Sequence, residues 1–145
     1  MNRRRVVGGL VGAAVVVVGI VVAWPRSAGT PAGTAVRLKN FEIDAPDTMR
    51  AGHTTFVAFG DGPSMHEFNI AETTLDPKAL PLAPDGTIDD QAEHAGFTHV
   101  AEAEGIDIGG VKTLSVNLTP GHYVMYCNME GHYMAGMVHA FEVTS

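Results

Sequence analysis

Beyond residue 34, apolar and polar positions alternate along much of the chain, which is the pattern of strands with one buried face. Turn signals rich in Gly and Pro, such as Thr119-Pro120-Gly121, separate the alternating segments. The predicted strands are residues 35–43, 54–59, 66–70, 111–118, 122–128 and 138–144. A set of short strands with frequent turns predicts an all-β fold, an antiparallel β-sandwich.

Residues 73–99 interrupt this alternation. Two segments within them, 75–80 and 88–94, have the pattern of short helical turns inside a long excursion between strands. The sequence therefore predicts a sandwich with one extended loop region, and it predicts no strand between residues 70 and 111.

The N-terminal pattern is different. Val6 to Trp24 contains no charged residue, and at ~1.5 Å per residue a helix of this length spans roughly 28 Å, close to the hydrocarbon thickness of a bilayer. Arg3 to Arg5 precede it, so the positive-inside rule places the following chain outside the cytoplasm. Residues 1–26 are predicted to be a signal peptide or a signal anchor, with one hydrophobic transmembrane helix. No small-x-small cleavage motif follows the apolar run directly, which favours an uncleaved anchor.

Residues 27–34, SAGTPAGT, are small and rich in Gly and Pro, and they are predicted to be a flexible linker. The folded domain is then expected over residues 35–145. The expected location is outside the cytoplasm: a periplasmic or other extracytoplasmic domain anchored to the cell membrane, or a secreted domain if the signal is cleaved.

The charge of this domain narrows the range of partners. The whole chain has a formal net charge of −7. Beyond residue 34 it holds five Lys and Arg residues and all sixteen Asp and Glu residues, which gives −11 for the domain. Such a surface argues against nucleic-acid binding, which needs basic patches. It favours steering towards a basic partner, although solubility alone would also account for it.

The only cysteine, Cys127, lies in a segment suited to metal binding. It cannot form an internal disulfide, so it is a small buried apolar residue, a nucleophile or a metal ligand. The spacing Cys127-x4-His132-x4-Met137 favours a ligand, because it brings three sulfur or nitrogen donors into one loop between two predicted strands. Gly131 and Gly136 make that loop pliable. Met129 and Met134 are alternatives to Met137.

A fourth ligand must come from another part of the chain. His66 is the best candidate, because it opens a predicted strand directly after the turn at residues 60–64. Two imidazoles, a thiolate and a thioether are the ligand set of a blue-copper electron-transfer site. Zinc fits less well, because structural zinc sites favour Cys and His and a thioether is a poor zinc ligand.

These segments resemble those of a known family. The run Tyr126 to Met137, YCNMEGHYMAGM, resembles the copper loop of the cupredoxins, and its Cys–Met span is similar to that of auracyanin and the sulfocyanin-like proteins. Met65-His66-Glu67-Phe68 resembles the upstream ligand strand of exported bacterial relatives. The resemblance implies a Greek-key sandwich holding one type 1 copper ion. It also implies the ligand set His66, Cys127, His132 and Met137, with the ring edge of His132 at the surface.

One residue departs from the family pattern. Where many cupredoxins have asparagine after the first ligand histidine, this chain has Glu67, which leaves open what ties the two ligand segments together. Asn69 and Asn128 are the candidates for that tie. Met129, Met134 and Tyr133 are expected to form an apolar rim around His132, with core packing as the alternative for Met129.

The predicted function is that of an extracytoplasmic one-electron carrier cycling between Cu(II) and Cu(I), and not of an enzyme. Its expected partners are redox proteins such as cytochromes or a terminal oxidase, and the membrane through the N-terminal helix; the expected state is a monomer. An oxidase or nitrite reductase would need a second copper, and a dinuclear copper carrier would need two cysteines. The remaining alternative is an extracytoplasmic copper chaperone or storage protein. His94 and His99 are a candidate pair for a second metal site.

Overall fold

The computed structural model describes residues 31–91 and 93–145, so the predicted helix at residues 1–26 and the first half of the predicted linker, residues 27–30, lie outside the described residues. None of the described residues forms a helix long and apolar enough to cross a bilayer. The described chain forms nine strands: β1 (Thr34–Lys39), β2 (Glu42–Asp44), β3 (Thr48–Arg50), β4 (Gly52–Gly60), β5 (His66–Thr73), β6 (Phe97–Ile106), β7 (Val111–Leu118), β8 (Gly121–Tyr126) and β9 (Val138–Thr144).

The strands form two sheets, with orders β2-β1-β4-β7 and β3-β9-β8-β5-β6. This confirms the predicted all-β sandwich. Each sheet is mixed, however, because β1 pairs with β4 and β3 pairs with β9 in parallel. The parallel pairs arise because the chain crosses between the sheets at β2–β3 and again at β3–β4, so that β4 returns to the first sheet in the direction of β1. The expectation of a purely antiparallel sandwich was wrong on this point.

The main core lies between the two sheets. Phe56 of β4 meets the rings of Phe68 and Phe141 edge-on, at centroid distances of 5.6 Å and 6.5 Å. Cys127 and Met137 belong to the same buried cluster. The candidate ligand loop is therefore built directly onto the core, whose packing fixes its two ends.

A second, smaller core covers the outer face of the five-stranded sheet. Tyr126 and Val124 of β8 pack there against Leu80, Ile88 and other residues of the excursion between β5 and β6. The described residues of this excursion form no helix. Residues 76–79 form a single hydrogen-bonded turn, whereas residues 88–91 and 93–94 form no turn of this kind, with isolated bridges at Ile88 and His94.

The strand predictions were wrong at three places: the β1–β2 hairpin, β6, and the three-residue strand β3, which was not predicted. Residues 35–43, predicted as one strand, form the hairpin of β1 and β2, which reverses at Asn40 and Phe41. Phe41 adopts φ 58°, a left-handed conformation that is uncommon for a side chain of this size. Strand β6 was missed, because its Ala-Glu-Ala-Glu run is made of helix-favouring residues.

Candidate metal centre

Four segments meet at one end of the sandwich to form the candidate site. His66 opens β5, and Cys127 follows the last residue of β8. The loop from Cys127 to Met137 is closed by its own backbone: Cys127 N donates to Met137 O at 3.2 Å, and Met137 N donates to His132 O at 3.0 Å. The turn between residues 60 and 66 and the tip of the β1–β2 hairpin complete this end.

Three of the predicted ligands converge. The Sγ atom of Cys127 lies 4.0 Å from Nδ1 of His66 and 3.4 Å from Nδ1 of His132. One nitrogen or sulfur atom of each residue lies within 4.8 Å of the corresponding atom of the others. One ring nitrogen of each imidazole, Nδ1 in both, therefore lies close to the thiol, and a shared metal ion requires this convergence of donor atoms.

The methionines of the loop occupy different environments. Met137 is fully buried beside Cys127 in the main core, whereas Met134 is 63% exposed. Met129 is partly buried and packs against the main core. These positions favour Met137 over Met134 as the thioether donor. The assignment of Met137 as a ligand stays a prediction. Only Met134 has the exposure expected of a rim residue.

Tyr133 does not belong to an apolar rim. Its side chain is buried in the outer core, where its hydroxyl donates to Pro77 O at 3.0 Å and accepts a hydrogen bond from Leu80 N at 3.0 Å. The earlier expectation for this residue was wrong, because the loop turns its ring towards the excursion instead of towards solvent.

Burial sets the charge states of the site. Burial, with a smaller contribution from the neighbouring His132, lowers the pKa of His66, which favours the neutral ring whose lone pair can bind a metal. Burial also raises the pKa of the Cys127 thiol, and the backbone amides of Glu67 and Met129 oppose that rise. Glu67 N donates directly to Sγ at 3.4 Å. A buried thiolate at this position is favoured by a cation beside it, which a metal ion would provide.

His66 is not a core histidine with satisfied nitrogens. Its side chain is fully buried, and Nε2 has no hydrogen-bond partner among the described residues. Gly62 packs over this nitrogen so closely that a Cβ atom at residue 62 would lie 2.6 Å from Nε2. The imidazole is therefore held by contact with backbone, with its Nδ1 side turned towards Cys127.

The tie between the two ligand segments comes from Asn69. Its Nδ2 atom donates to the backbone oxygen of Tyr126 at 3.4 Å and so links β5 to the end of β8. Asn128 faces the excursion instead: Oδ1 accepts from Ile88 N at 2.6 Å, and Nδ2 donates to Ile88 O and to Asp90 Oδ2. Burial raises the pKa of Glu67, and repulsion from Glu104 and Glu102 on β6 adds to the rise.

Phe41 is a neighbour of the site that no sequence pattern indicated. Its ring meets the His132 ring edge-on, with centroids 5.5 Å apart. The hairpin tip that carries Phe41 is joined to the ligand side of the site because Ser64 Oγ donates to Asn40 Oδ1 at 2.8 Å. Phe41, Met65 and Met134 are all exposed large apolar side chains, and we call these three residues the apolar patch.

His94 and His99 point to different partners. His94 Nε2 lies 3.1 Å from Asp89 Oδ2, whereas His99 Nδ1 lies 3.1 Å from the hydroxyl of Tyr126. A second group of possible ligands does include His99, together with Asp90 and Glu102. The candidate pair from the sequence is therefore replaced by a different set around His99.

No family model and no curated protein matches the sequence. Among solved structures, the chain is similar to reduced auracyanin from the photosynthetic bacterium Roseiflexus castenholzii, at 21% identity and a TM-score of 0.57, covering 77% of this chain and 95% of that one. It is also similar to auracyanin B, at 17% identity and a TM-score of 0.55, covering 77% of this chain and 87% of that one. The likeness establishes the fold: the described domain is a cupredoxin-type β-sandwich.

Proposed function

We propose that this cupredoxin-fold domain binds one copper ion through His66, Cys127, His132 and Met137, and that it carries single electrons outside the cytoplasm. The observation that carries the proposal is the convergence of two imidazole Nδ1 atoms on one buried thiol. Thiolate and imidazole together are the main donors of a blue-copper site. A bound copper ion would supply the one-electron chemistry by alternating between Cu(II) and Cu(I).

In this proposal the protein holds the candidate ligand side chains in fixed positions. His66 and Cys127 are fixed by β5 and β8, which pair antiparallel from Asn69–Tyr126 onwards, and by the direct bond from Glu67 N to Sγ. Gly62 blocks the far side of the His66 ring. Such a site resists rearrangement when the charge of its ion changes, which suits repeated electron transfer.

Electrons are proposed to pass through His132. Unlike His66 and Cys127, this residue is only partly buried, and Phe41 of the apolar patch packs edge-on against its ring. Exposed apolar side chains beside a ligand suit brief docking, where interfaces are small. The acidic domain favours a redox partner with a basic surface, such as a cytochrome or a terminal oxidase. Anchoring by residues 1–26 would keep the domain at the outer side of the membrane.

Voltammetry of the copper-loaded full chain tests this proposal against the chaperone or storage alternative. The carrier predicts one reversible one-electron wave and copper retained over many cycles. Slow or absent electron exchange, with ready transfer of Cu(I) to a chelator of similar affinity, would favour the alternative. Met137→Leu and Met134→Leu form a matched pair: we expect only Met137→Leu to raise the midpoint potential, because it removes a donor that stabilises Cu(II).

A further inference from the structure

A bulge in β6 brings His99 and Glu102 to the same face of the sheet. Asn69, Ile70 and Ala71 of β5 pair with Glu102, Ala101 and His99, so the register skips Val100. Without the skip, residues three apart on a strand would point to opposite faces. Both side chains instead share the outer face with Tyr126, which pairs with Asn69 from the other side. Bulges often re-aim side chains at functional sites.

Asp90 approaches the same place from the excursion, and it is held there. Its side chain is only 9% exposed. The carboxylate accepts hydrogen bonds at Oδ2 from Asn128 Nδ2 at 2.9 Å and from the Tyr126 hydroxyl at 3.3 Å, and at Oδ1 from the side chain of Gln91 at 3.0 Å. A carboxylate has about four acceptor positions, so these three bonds leave capacity for one further partner. Asp90 is therefore fixed in position before any ligand binds.

The three side chains are close enough to share an ion. His99 lies between the two carboxylates, with Nδ1 3.9 Å from Asp90 Oδ2 and Nε2 3.8 Å from Glu102 Oε2. One ion is bound by one ring nitrogen, and a single donor atom from each of the three residues lies within 4.8 Å of the others. The residues come from two separate segments, the excursion and β6, so the group depends on the folded structure and is not a run of acids along the sequence.

The local charge is unbalanced. Glu67 and Glu104 add their carboxylates to those of Asp90 and Glu102 on this side of the sheet. In the described part of the chain, the Lys and Arg ion pairs lie elsewhere, at Arg37–Asp61 and around Lys39, and His99 is the basic side chain paired with Asp90 and Glu102. Lys112 donates a hydrogen bond to the backbone oxygen of Glu104 and forms no ion pair with the carboxylates of Asp90 and Glu102 among the described residues. A bound cation would relieve this repulsion.

We propose that Asp90, His99 and Glu102 bind one divalent cation of the zinc class, at a site separate from the copper site. One imidazole and two carboxylates form a ligand set that suits Zn²⁺ and leaves room for water as a further ligand. The set contains no thiolate or thioether, so it disfavours Cu(I). The two sites lie on opposite faces of the sheet at neighbouring residues, Tyr126 and Cys127. The proposal does not depend on the copper assignment.

Calorimetric titration with Zn²⁺ tests the proposal in full-length protein carrying Cys127→Ser, which removes the competing thiolate. Two matched pairs of further changes are added to it: Glu102→Gln against Glu104→Gln, and His99→Gln against His53→Gln. His53 is exposed on β4 of the other sheet. We expect affinity to fall at least about tenfold in the Glu102 and His99 variants and to stay within about twofold in the controls.

Two results would overturn the proposal. Equal weakening by Glu102→Gln and Glu104→Gln would mean that the acidic face attracts cations without a defined site. Unchanged affinity in all variants would place the zinc at His66 and His132. If a variant misfolds, the imidazole NMR resonances of the unsubstituted protein test the proposal instead. Zinc must then shift the resonances of His99. A shift confined to the resonances of His66 and His132 would contradict the proposal.

Discussion

The two faces of the five-stranded sheet differ most at Tyr126 and Cys127, which are adjacent in sequence. The Cys127 side carries a thiol and two imidazoles inside the sandwich. The Tyr126 side carries a hydroxyl, two carboxylates and one imidazole beneath the excursion. Strand alternation thus puts soft donors on one face and hard donors on the other, separated by the thickness of a single sheet.

The two faces are also held in different ways. Backbone atoms fix the inner site: Glu67 N reaches Sγ, and Gly62 packs on the His66 ring. Side-chain hydrogen bonds fix the outer face, chiefly those of Asn128 and Tyr126 to Asp90. The inner site should therefore respond to changes that crowd the backbone, and the outer face to loss of polar side chains.

The largest effect is expected for Gly62→Ala. The new Cβ would lie 2.6 Å from His66 Nε2 and 3.0 Å from the backbone nitrogen of Asn40. We expect the free energy of unfolding to fall by about 3 kcal/mol and the copper spectrum to change, because the His66 ring must move. Gly121→Ala is the control, since its Cβ meets only the flexible Glu72 carboxylate within 3.5 Å. Equal spectra for both variants would contradict the proposed role of Gly62.

Asn128→Ala should act on the outer face. It removes the hydrogen bonds to both backbone groups of Ile88 and the bond to Asp90. We expect a loss of about 2 kcal/mol in chemical denaturation, because the backbone groups of Ile88 lose their partner. Zinc affinity should fall while the copper spectrum changes less than in Gly62→Ala. Asn117→Ala, at an exposed position on β7, is the control. A copper spectrum that changes more in Asn128→Ala than in Gly62→Ala would contradict the distinction between the two faces.

Tyr126→Phe should have the smallest effect. The ring stays in the outer core, and only the hydroxyl that bonds Asp90 and lies 3.1 Å from His99 is lost. We expect a cost of about 1 kcal/mol in unfolding free energy and a modest fall in zinc affinity. Thermal and calorimetric measurements check both. A copper spectrum altered as strongly as in Gly62→Ala would show that the two faces are coupled through the sheet.

Local patterns predicted the parts of the fold whose structure depends on neighbours in sequence. Strands β7 and β9 occupy the predicted residues, because apolar side chains there alternate clearly. No sequence pattern predicted the reversal at Asn40 and Phe41, because apolar and polar residues continue to alternate through it. Strand β6 could not be predicted from its own residues, because small alanines form its inner face. Its strand conformation depends on pairing with β5.

In the candidate site, too, contacts between neighbours in sequence could be predicted and contacts between distant segments could not. Cys127 and His132 lie in one short loop, so their spacing already predicted their meeting. The approach of His66 follows from the pairing of β5 with β8, and the sequence indicated it through the position of His66 after the turn at residues 60–64 and through the resemblance. The contact of Phe41 with His132 and the approach of Asp90 to His99 depend on how distant segments pack, which periodicity cannot express.

The central claim is that Cys127 is one of the ligands of a single copper ion. Its most direct test is the visible absorption of the full-length protein with added Cu(II), compared with that of Cys127→Ser. We expect an intense blue colour that saturates at one copper per chain and disappears in the variant, because the colour needs a copper–thiolate bond. A colourless unsubstituted protein, or a variant of equal colour, would contradict it.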